Sequence, residues 1–152
     1  MDETDRRIVA LLQQDARQSF KQLAHEVGLA PSTVYERVRR LEREQVLGAC
    51  RYEVSPKALG ARLQAMIFIQ LSAHTVEVFA EFEEHLEGVP EVLAFYNLAG
   101  RQDFAVHVVA RDSDHLQELV LRQFTARPEV AHMETALVFE HRAVGLTPDL
   151  LG

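Results

Sequence analysis

Hydrophobic residues recur every three or four positions through the first third of the chain, which is the spacing of one buried face of an α-helix. Three helices are predicted there, and the last two have clear end signals. Ser19 and Gln22 form a capping-box pattern at the start of the second helix, and Gly28 can end it. Pro31, which suits the first position of a helix, follows after only two residues. Helices joined by so short a turn cross steeply, so residues 1–45 are predicted to form a helix-turn-helix domain.

The apolar positions of these helices define the expected core of the domain. The inward-facing residues are predicted to be Ile8, Leu11, Leu12 and Ala16 in the first helix, Phe20, Leu23, Ala24 and Val27 in the second, and Val34, Val38 and Leu41 in the third. The polar residues of each helix are then left on the solvent side.

A short strand and a linker are predicted next, at residues 46–63. The segment ACRYEV (49–54) favours a strand, the wing of a winged helix-turn-helix domain, and Ser55-Pro56 interrupts it. KALGA (57–61) is typical of one helical turn ended by a glycine.

The pattern changes in residues 64–152, where runs of β-branched and aromatic residues alternate with helical periodicity. The predicted elements are strand 64–73, helix 75–86, strands 92–98 and 103–110, helix 113–126 and strand 130–141. This βαββαβ order is that of the ferredoxin-like fold. The whole chain is therefore predicted to be an α+β protein, an N-terminal winged helix-turn-helix followed by a ferredoxin-like domain.

The predicted strands are apolar on both faces, although two helices can cover only one face of a four-stranded sheet. In the first strand, Ile67 and Ile69 alternate with Met66 and Phe68, whereas a half-exposed sheet should alternate apolar with polar residues. The second face is expected to pack against another sheet, most simply that of an identical subunit. The alternative is that the N-terminal domain covers it.

The distribution of charge separates the two domains. The formal net charge is -7, which at first argues against a nucleic-acid partner. Residues 1–50, however, contain 8 basic and 8 acidic residues, so all the excess acid lies in residues 51–152. Such asymmetry suggests two modules with different partners. The single cysteine, Cys50, favours a reducing cytoplasm, and no apolar run approaches the about 20 residues of a membrane helix.

The third helix has an arginine-rich face that could bind double-stranded DNA. In helix-turn-helix proteins the second of the paired helices lies in the major groove, and arginine pairs with guanine or phosphate. The alternative is a solvated face with ion pairs such as Arg39–Glu42 or Arg40–Glu44. The end signals around the tight turn favour DNA binding. The predicted DNA-binding residues are Ser32, Thr33, Tyr35, Glu36, Arg37, Arg39, Arg40 and Arg43.

Several stretches resemble the Lrp/AsnC, or feast/famine, family of transcription regulators. They are the opening D-x-x-D-R-R-I-V, then LAHEVGLAPSTVYERVRRLE, VLGACRYEVSPKALG, and GRQDF (100–104), which is similar to that family's glycine-x-x-Asp-aromatic hairpin. The resemblance covers essentially the whole chain. It implies a homodimer built through the sheets, often assembled further into octamers, and a small effector, commonly an amino acid, bound near the hairpin loop at the junction between dimers.

Carried onto this chain, the resemblance implies effector contacts at Asn97, Ala99, Gly100, Arg101, Asp103 and Thr135. An amino acid has a carboxylate that Arg101 could pair with and an ammonium that Asp103 could pair with. The alternative is a plain hairpin turn, in which Gly100 supplies a positive φ and Asp103 bonds backbone groups. Arg101 departs from the family, where an acidic residue is frequent after the glycine.

No motif in the sequence indicates catalysis, a cofactor or a metal. There is no G-x-S-x-G, Walker loop or G-x-G-x-x-G, and the seven histidines lack ligand spacing. The enzyme alternative is a sirohaem-decarboxylase-like protein, since those enzymes resemble the same two-module arrangement. It would need histidine and arginine aimed at propionate groups, and no such cluster can be located. The sequence therefore favours a transcription regulator whose DNA affinity is changed by effector binding.

Overall fold

The computed structural model describes residues 1–142, so residues 143–152 of the predicted second domain lie outside the described part. The described chain forms two compact units, Met1–Glu53 (the first unit) and Val54–His141 (the second unit). The boundary between them falls inside the predicted linker, 46–63. Within residues 1–142, no helix is long and apolar enough to cross a membrane.

The first unit contains the three predicted helices: α1 (Glu3–Gln14), α2 (Phe20–Val27) and α3 (Pro31–Arg43). Asp2 caps α1 through a capping box with Asp5, and Ser19 and Gln22 form the predicted box on α2. Gly28 ends α2 with a φ of 69°, the left-handed conformation that glycine adopts without steric cost. The core is one cluster of apolar residues: Ile8, Val9, Leu23, Ala24, Val34, Val38 and Leu41.

Two predicted core positions of the first unit are wrong. Ala16 lies beyond the end of α1 and is exposed. Phe20 is 39% exposed because it is the first residue of α2 and packs against Tyr35 of α3 instead of entering the core.

The predicted wing strand does not form. Residues 49–55 have no regular secondary structure, and Tyr52 and Val54 are 77% and 59% exposed. A strand is stable only beside another strand that satisfies its N–H and C=O groups, and the described chain pairs none with this segment. The helical turn predicted after it is present as a 3₁₀-helix at Pro56–Leu59, ended by Gly60.

The second unit has the predicted βαββαβ order. Its elements are β1 (Leu63–Leu71), α4 (Val76–Glu87), β2 (Val92–Asn97), β3 (Phe104–Ala110), α5 (Ser113–Val120) and β4 (Val130–Leu137). The strands form one antiparallel sheet in the order β2-β3-β1-β4. The helix predicted to residue 126 changes after Val120 to a π-helical turn at Leu121–Thr125, and β4 ends four residues earlier than predicted.

Helices α4 and α5 pack against one face of this sheet. The main core residues are Ile67, Ile69, Phe82, Leu86, Phe104, Val106 and Phe124, all of them fully buried. The opposite face, called here the open face, carries Met66 and Phe68 of β1 with their cross-strand partners His107 and Ala105 of β3. Tyr96 of β2 lies beside Ala105 and is 56% exposed. The centre of the open face is thus apolar, as the strand pattern predicted, whereas β4 places Glu134 opposite Phe68 and His132 opposite Gln70 on the same face.

Candidate nucleic-acid interface and effector region

Helix α3 buries one edge and leaves its polar edge in solvent. Val34, Val38 and Leu41 are buried, whereas Ser32, Thr33 and Glu36 are exposed near the helix start. No side chain caps the helix, because Ala30 occupies the cap position and Pro31 begins the first turn. The exposed side chains and the uncapped N–H groups therefore lie at the end of α3 that meets base edges in helix-turn-helix proteins.

Arg37 and Arg40 are bound to carboxylates at the start of α1. Arg37 Nη1 donates to Asp2 Oδ2 at 2.6 Å and to Asp5 Oδ1 at 2.8 Å, and Arg40 Nη2 donates to the other oxygen of Asp5. The Asp5 side chain is only 1% exposed, and it also accepts the backbone N–H of Asp2 at 3.0 Å. These two arginines therefore tie α3 to α1 through a buried carboxylate.

The ion pairs shift the pKa values of both partners. The hydrogen bond from Arg37 lowers the pKa of Asp2, and the N–H of Asp5 lowers it further. Burial raises the pKa of Asp5, but the hydrogen bonds from Asp2 and Arg37 outweigh it, and the net pKa lies below the ordinary 3.8. The hydrogen bonds to Asp2 and Asp5 raise the pKa of Arg37. All three groups are therefore charged at neutral pH.

Arg39 and Arg43 lie on the solvent side of α3. Arg39 Nε donates to Tyr35 Oη at 3.2 Å and Arg39 Nη1 donates to Glu42 Oε2 at 3.0 Å. Arg43 is exposed and makes no hydrogen bond or ion pair with any residue that the structure describes. Both ion pairs that the sequence suggested are present, since Arg40 Nε also lies 3.9 Å from Glu44 Oε1. The four arginines thus divide into two that face α1 and two that face solvent.

Asp103 is the most constrained of the predicted effector residues. It is 5% exposed and lies just before β3. Its Oδ2 accepts the backbone N–H of Leu71 at 2.7 Å, and its Oδ1 lies 3.0 Å from His74 Nε2. The carboxylate therefore joins the start of β3 to the end of β1. His74 was missed from the sequence, because nothing in its neighbourhood signals a partner 29 residues away.

The other predicted effector residues lie in two places. Ala99, Gly100 and Arg101 are exposed in the loop between β2 and β3 (98–103, the hairpin loop), where Gly100 has a φ of 153°. Asn97, at the end of β2, donates to Glu83 Oε1 at 3.4 Å. Thr135 lies on β4 opposite Ile67, and β3 and β1 separate it from β2. A single chain therefore does not bring Thr135 to the hairpin loop.

An open groove of about 420 Å³ lies along α4 beside these residues (the α4 groove). Its lining consists of His74, Thr75, Val76, Phe79, Ala80 and Glu83. His74 is the partner of Asp103 and Glu83 is the partner of Asn97. The groove thus combines an imidazole, a carboxylate and an apolar wall. Within residues 1–142, no group of three or more His, Cys, Asp or Glu side chains could hold a metal ion.

A helix-turn-helix unit followed by a ferredoxin-like unit fits a two-domain DNA-binding regulator, and comparison with known proteins gives that class. Residues 1–42 match the family model of the AsnC-type helix-turn-helix domain. Residues 64–143 match that of the Lrp/AsnC ligand binding domain. The chain belongs to the Lrp/AsnC family of transcription regulators, as the sequence resemblance predicted.

Individual relatives agree with this assignment. The HTH-type transcriptional regulator AldR of Mycolicibacterium smegmatis is 40% identical over 141 residues, which are 93% of this chain and 82% of AldR. The crystal structure of MtbAldR, the Mycobacterium tuberculosis relative, has a TM-score of 0.76 at 35% identity and covers 96% of this chain and 99% of its own. Escherichia coli AsnC has a TM-score of 0.84 at 26% identity, covering 97% and 98%. The AldR relatives are transcriptional regulators, which supports the predicted regulator and not the sirohaem-decarboxylase-like alternative.

Proposed function

We propose that the solvent side of α3 enters the DNA major groove, with Ser32, Thr33 and Glu36 nearest the bases and Arg39 and Arg43 on the phosphates, while Tyr35 lies beside Arg39. Arg37 and Arg40 are assigned a supporting role in this proposal. The observation that carries it is the division of the arginines, because guanidinium groups already bonded to Asp2 and Asp5 have fewer donors to offer DNA. This narrows the set of DNA contacts inferred from the sequence.

Salt dependence of DNA affinity tests this assignment. Each phosphate contact contributes roughly -0.9 to the slope of log affinity against log salt concentration. We expect Arg43→Ala to make the slope shallower by about that amount and to leave the melting temperature unchanged. Arg122→Ala, an exposed arginine paired with Glu118 in the second unit, is the matched control. Fluorescence anisotropy with a labelled duplex measures both, and a wild-type affinity that does not change with salt would contradict the proposal.

We infer that the second unit binds a small effector of the amino-acid class near the hairpin loop and the α4 groove. Arg101 is exposed and has no partner among the described residues, so its guanidinium can pair with a carboxylate. Glu83 in the groove and Asp103, which is bonded to the groove residue His74, supply negative charge for an ammonium group, and Phe79 supplies an apolar wall. Ala99 and Gly100 lie in the same loop and Asn97 lies at the end of β2 just before it, whereas Thr135 would belong to the site only if it came from a neighbouring subunit.

A thermal-shift screen of the common amino acids tests the effector site. Asp103→Ala is a poor variant, because it removes the acceptor of the Leu71 N–H and would destabilise the sheet. Asp103→Asn keeps an oxygen for that N–H and removes the charge. We expect Asp103→Asn and Arg101→Ala each to reduce the amino-acid-induced shift, with Arg122→Ala as the control. Full shifts in both variants would place the site elsewhere.

The proposal includes a homodimer formed through the open face, with further assembly as far as an octamer. The apolar centre of the open face supports the dimer. In a larger assembly, Thr135 of one subunit can lie beside the hairpin loop of another and so contribute to a shared effector site. Effector binding at such a junction would change DNA affinity by linkage. The effector stabilises the assembly state to which it binds more tightly, and the states differ in their affinity for DNA. A cytoplasmic location is part of the same proposal and is supported by the single cysteine.

A further inference from the structure

Tyr35 and Arg39 lie one helical turn apart on the solvent side of α3, and the tyrosine contacts the arginine in two ways. Its hydroxyl oxygen accepts a hydrogen bond from Arg39 Nε at 3.2 Å, and its ring centre lies 5.5 Å from the guanidinium carbon. Glu42 binds the same guanidinium through Nη1 at 3.0 Å. Three contacts therefore fix the direction of a side chain that is 56% exposed.

Phe20 in turn holds the tyrosine. The two rings are 5.2 Å apart and almost perpendicular, at 88°, which is the favourable edge-to-face geometry of aromatic pairs. Phe20 belongs to α2, so the order imposed on Arg39 comes from the packing of α2 against α3 and not from α3 alone. This also explains why an aromatic residue stays partly exposed at the start of α2.

Fixing an arginine before it binds raises affinity, because an exposed arginine otherwise loses rotamer entropy when it contacts a ligand. The hydrogen bonds of Arg39 use Nε and Nη1, and Nη2 makes none with the residues that the structure describes. A two-nitrogen fork to guanine would compete with Glu42 for Nη1 or with Tyr35 for Nε. One free amino group suits a single phosphate oxygen.

The position of Arg39 along the helix agrees with a phosphate contact. It is the ninth residue of α3, counted from Pro31, whereas base edges are met by residues near the helix start. We propose that Arg39 is a pre-oriented phosphate clamp and that Tyr35 is its positioning residue, supported by Phe20 and Glu42. This inference rests on the proposed DNA interface of α3.

A double-mutant cycle on Tyr35 and Arg39 tests the inference. Tyr35→Phe removes only the hydroxyl and keeps the ring against Phe20. We expect it to weaken DNA binding roughly two- to tenfold, the worth of one hydrogen bond. The loss should be equal for a duplex selected by the wild-type protein from a random library and for a random-sequence duplex, because phosphate contacts carry no sequence information. The salt slope should stay unchanged, because the charge remains.

Arg39→Ala completes the cycle. It should make the salt slope shallower by roughly 0.9, and the Tyr35→Phe/Arg39→Ala double variant should bind as Arg39→Ala does. Additive losses would overturn the inference, because they would mean that Tyr35 contacts DNA itself. Full affinity of Tyr35→Phe would overturn it as well.

Phe20→Leu, made alone and together with Arg39→Ala, separates a positioning role of Phe20 from an effect on stability. Phe20→Leu keeps an apolar side chain but removes the ring edge, so it should weaken binding only when Arg39 is present. Circular dichroism melting curves for every variant exclude unfolding as the cause. A wild-type protein that bound neither duplex would refute the DNA interface itself, which is a different result from an additive cycle.

Discussion

Asp5 is a buried carboxylate that accepts three hydrogen bonds, from the N–H of Asp2 and from the guanidinium groups of Arg37 and Arg40. A charge removed from water is tolerated only when it is paired and hydrogen-bonded in this way. The side chain belongs to the capping box of α1, so one residue both caps α1 and holds α3 against it.

Asp5→Asn should destabilise the first unit by about 2 kcal/mol, because an amide nitrogen would face donors that need an acceptor. Asp2→Asn is the matched control: Asp2 is more exposed, and asparagine caps a helix as well as aspartate does. Hydrogen exchange of the α1 and α3 amides measures the effect within the first unit. Equal losses of protection in the two variants would contradict the assignment of Asp5 as the central acceptor.

The same carboxylates predict a loss of stability in acid. The pKa of Asp5 is lower in the folded chain than its ordinary 3.8, so the unfolded chain binds protons first as the pH falls. The contribution of Asp5 is complete above about pH 4 and is lost as the pH falls through the folded pKa. Denaturation midpoints measured from neutral pH into this range should show the loss, and Asp5→Asn should reduce it. An unchanged pH profile in that variant would refute this role.

The turn between α2 and α3 depends on Gly28, whose φ of 69° costs an L-residue with a Cβ steric energy. Nothing lies within 4 Å of a Cβ built at this position, so the cost of Gly28→Ala comes from the backbone alone. We expect a loss of about 1 kcal/mol.

Gly48→Ala is the matched control for this substitution. Its Cβ also meets nothing within 4 Å, and its φ lies outside the left-handed region. Urea denaturation followed by circular dichroism compares the two variants. An equal loss in both variants would contradict this role of the turn, because Gly→Ala outside the left-handed region lowers the entropy of the unfolded chain and should not destabilise the fold.

The elements that were predicted correctly are those with local signals. Helix caps, the turn glycine and the two hydrophobic periodicities located all the helices and the four strands of the sheet. The wing strand was predicted from composition at residues 49–54 and does not form, because a strand needs a partner that local sequence cannot supply. The π-helical turn after Val120 had no signal in the sequence.

The open face is the feature of the second unit with the clearest consequence for assembly. A subunit with Met66, Phe68 and Tyr96 on one surface should associate through it. We expect a dimer or larger species by light scattering, and Tyr96→Lys should shift the mass towards the monomer. Leu121→Lys, a similarly exposed apolar residue in the π-helical turn, should leave the mass unchanged. A wild-type monomer at micromolar concentration would rule out the dimer.

Short-range patterns were sufficient for the order of the elements and the arginine-rich edge of α3, because each depends on residues a few positions apart. They could not predict which arginines of that edge bind the carboxylates of α1 and which face solvent. Arg37 and Arg40 bind carboxylates 32 to 35 residues away, and Asp103 binds Leu71 across 32 residues. Which donor meets which acceptor at such separations depends on how the helices and strands pack, and the packing is a property of the folded chain and not of any one segment.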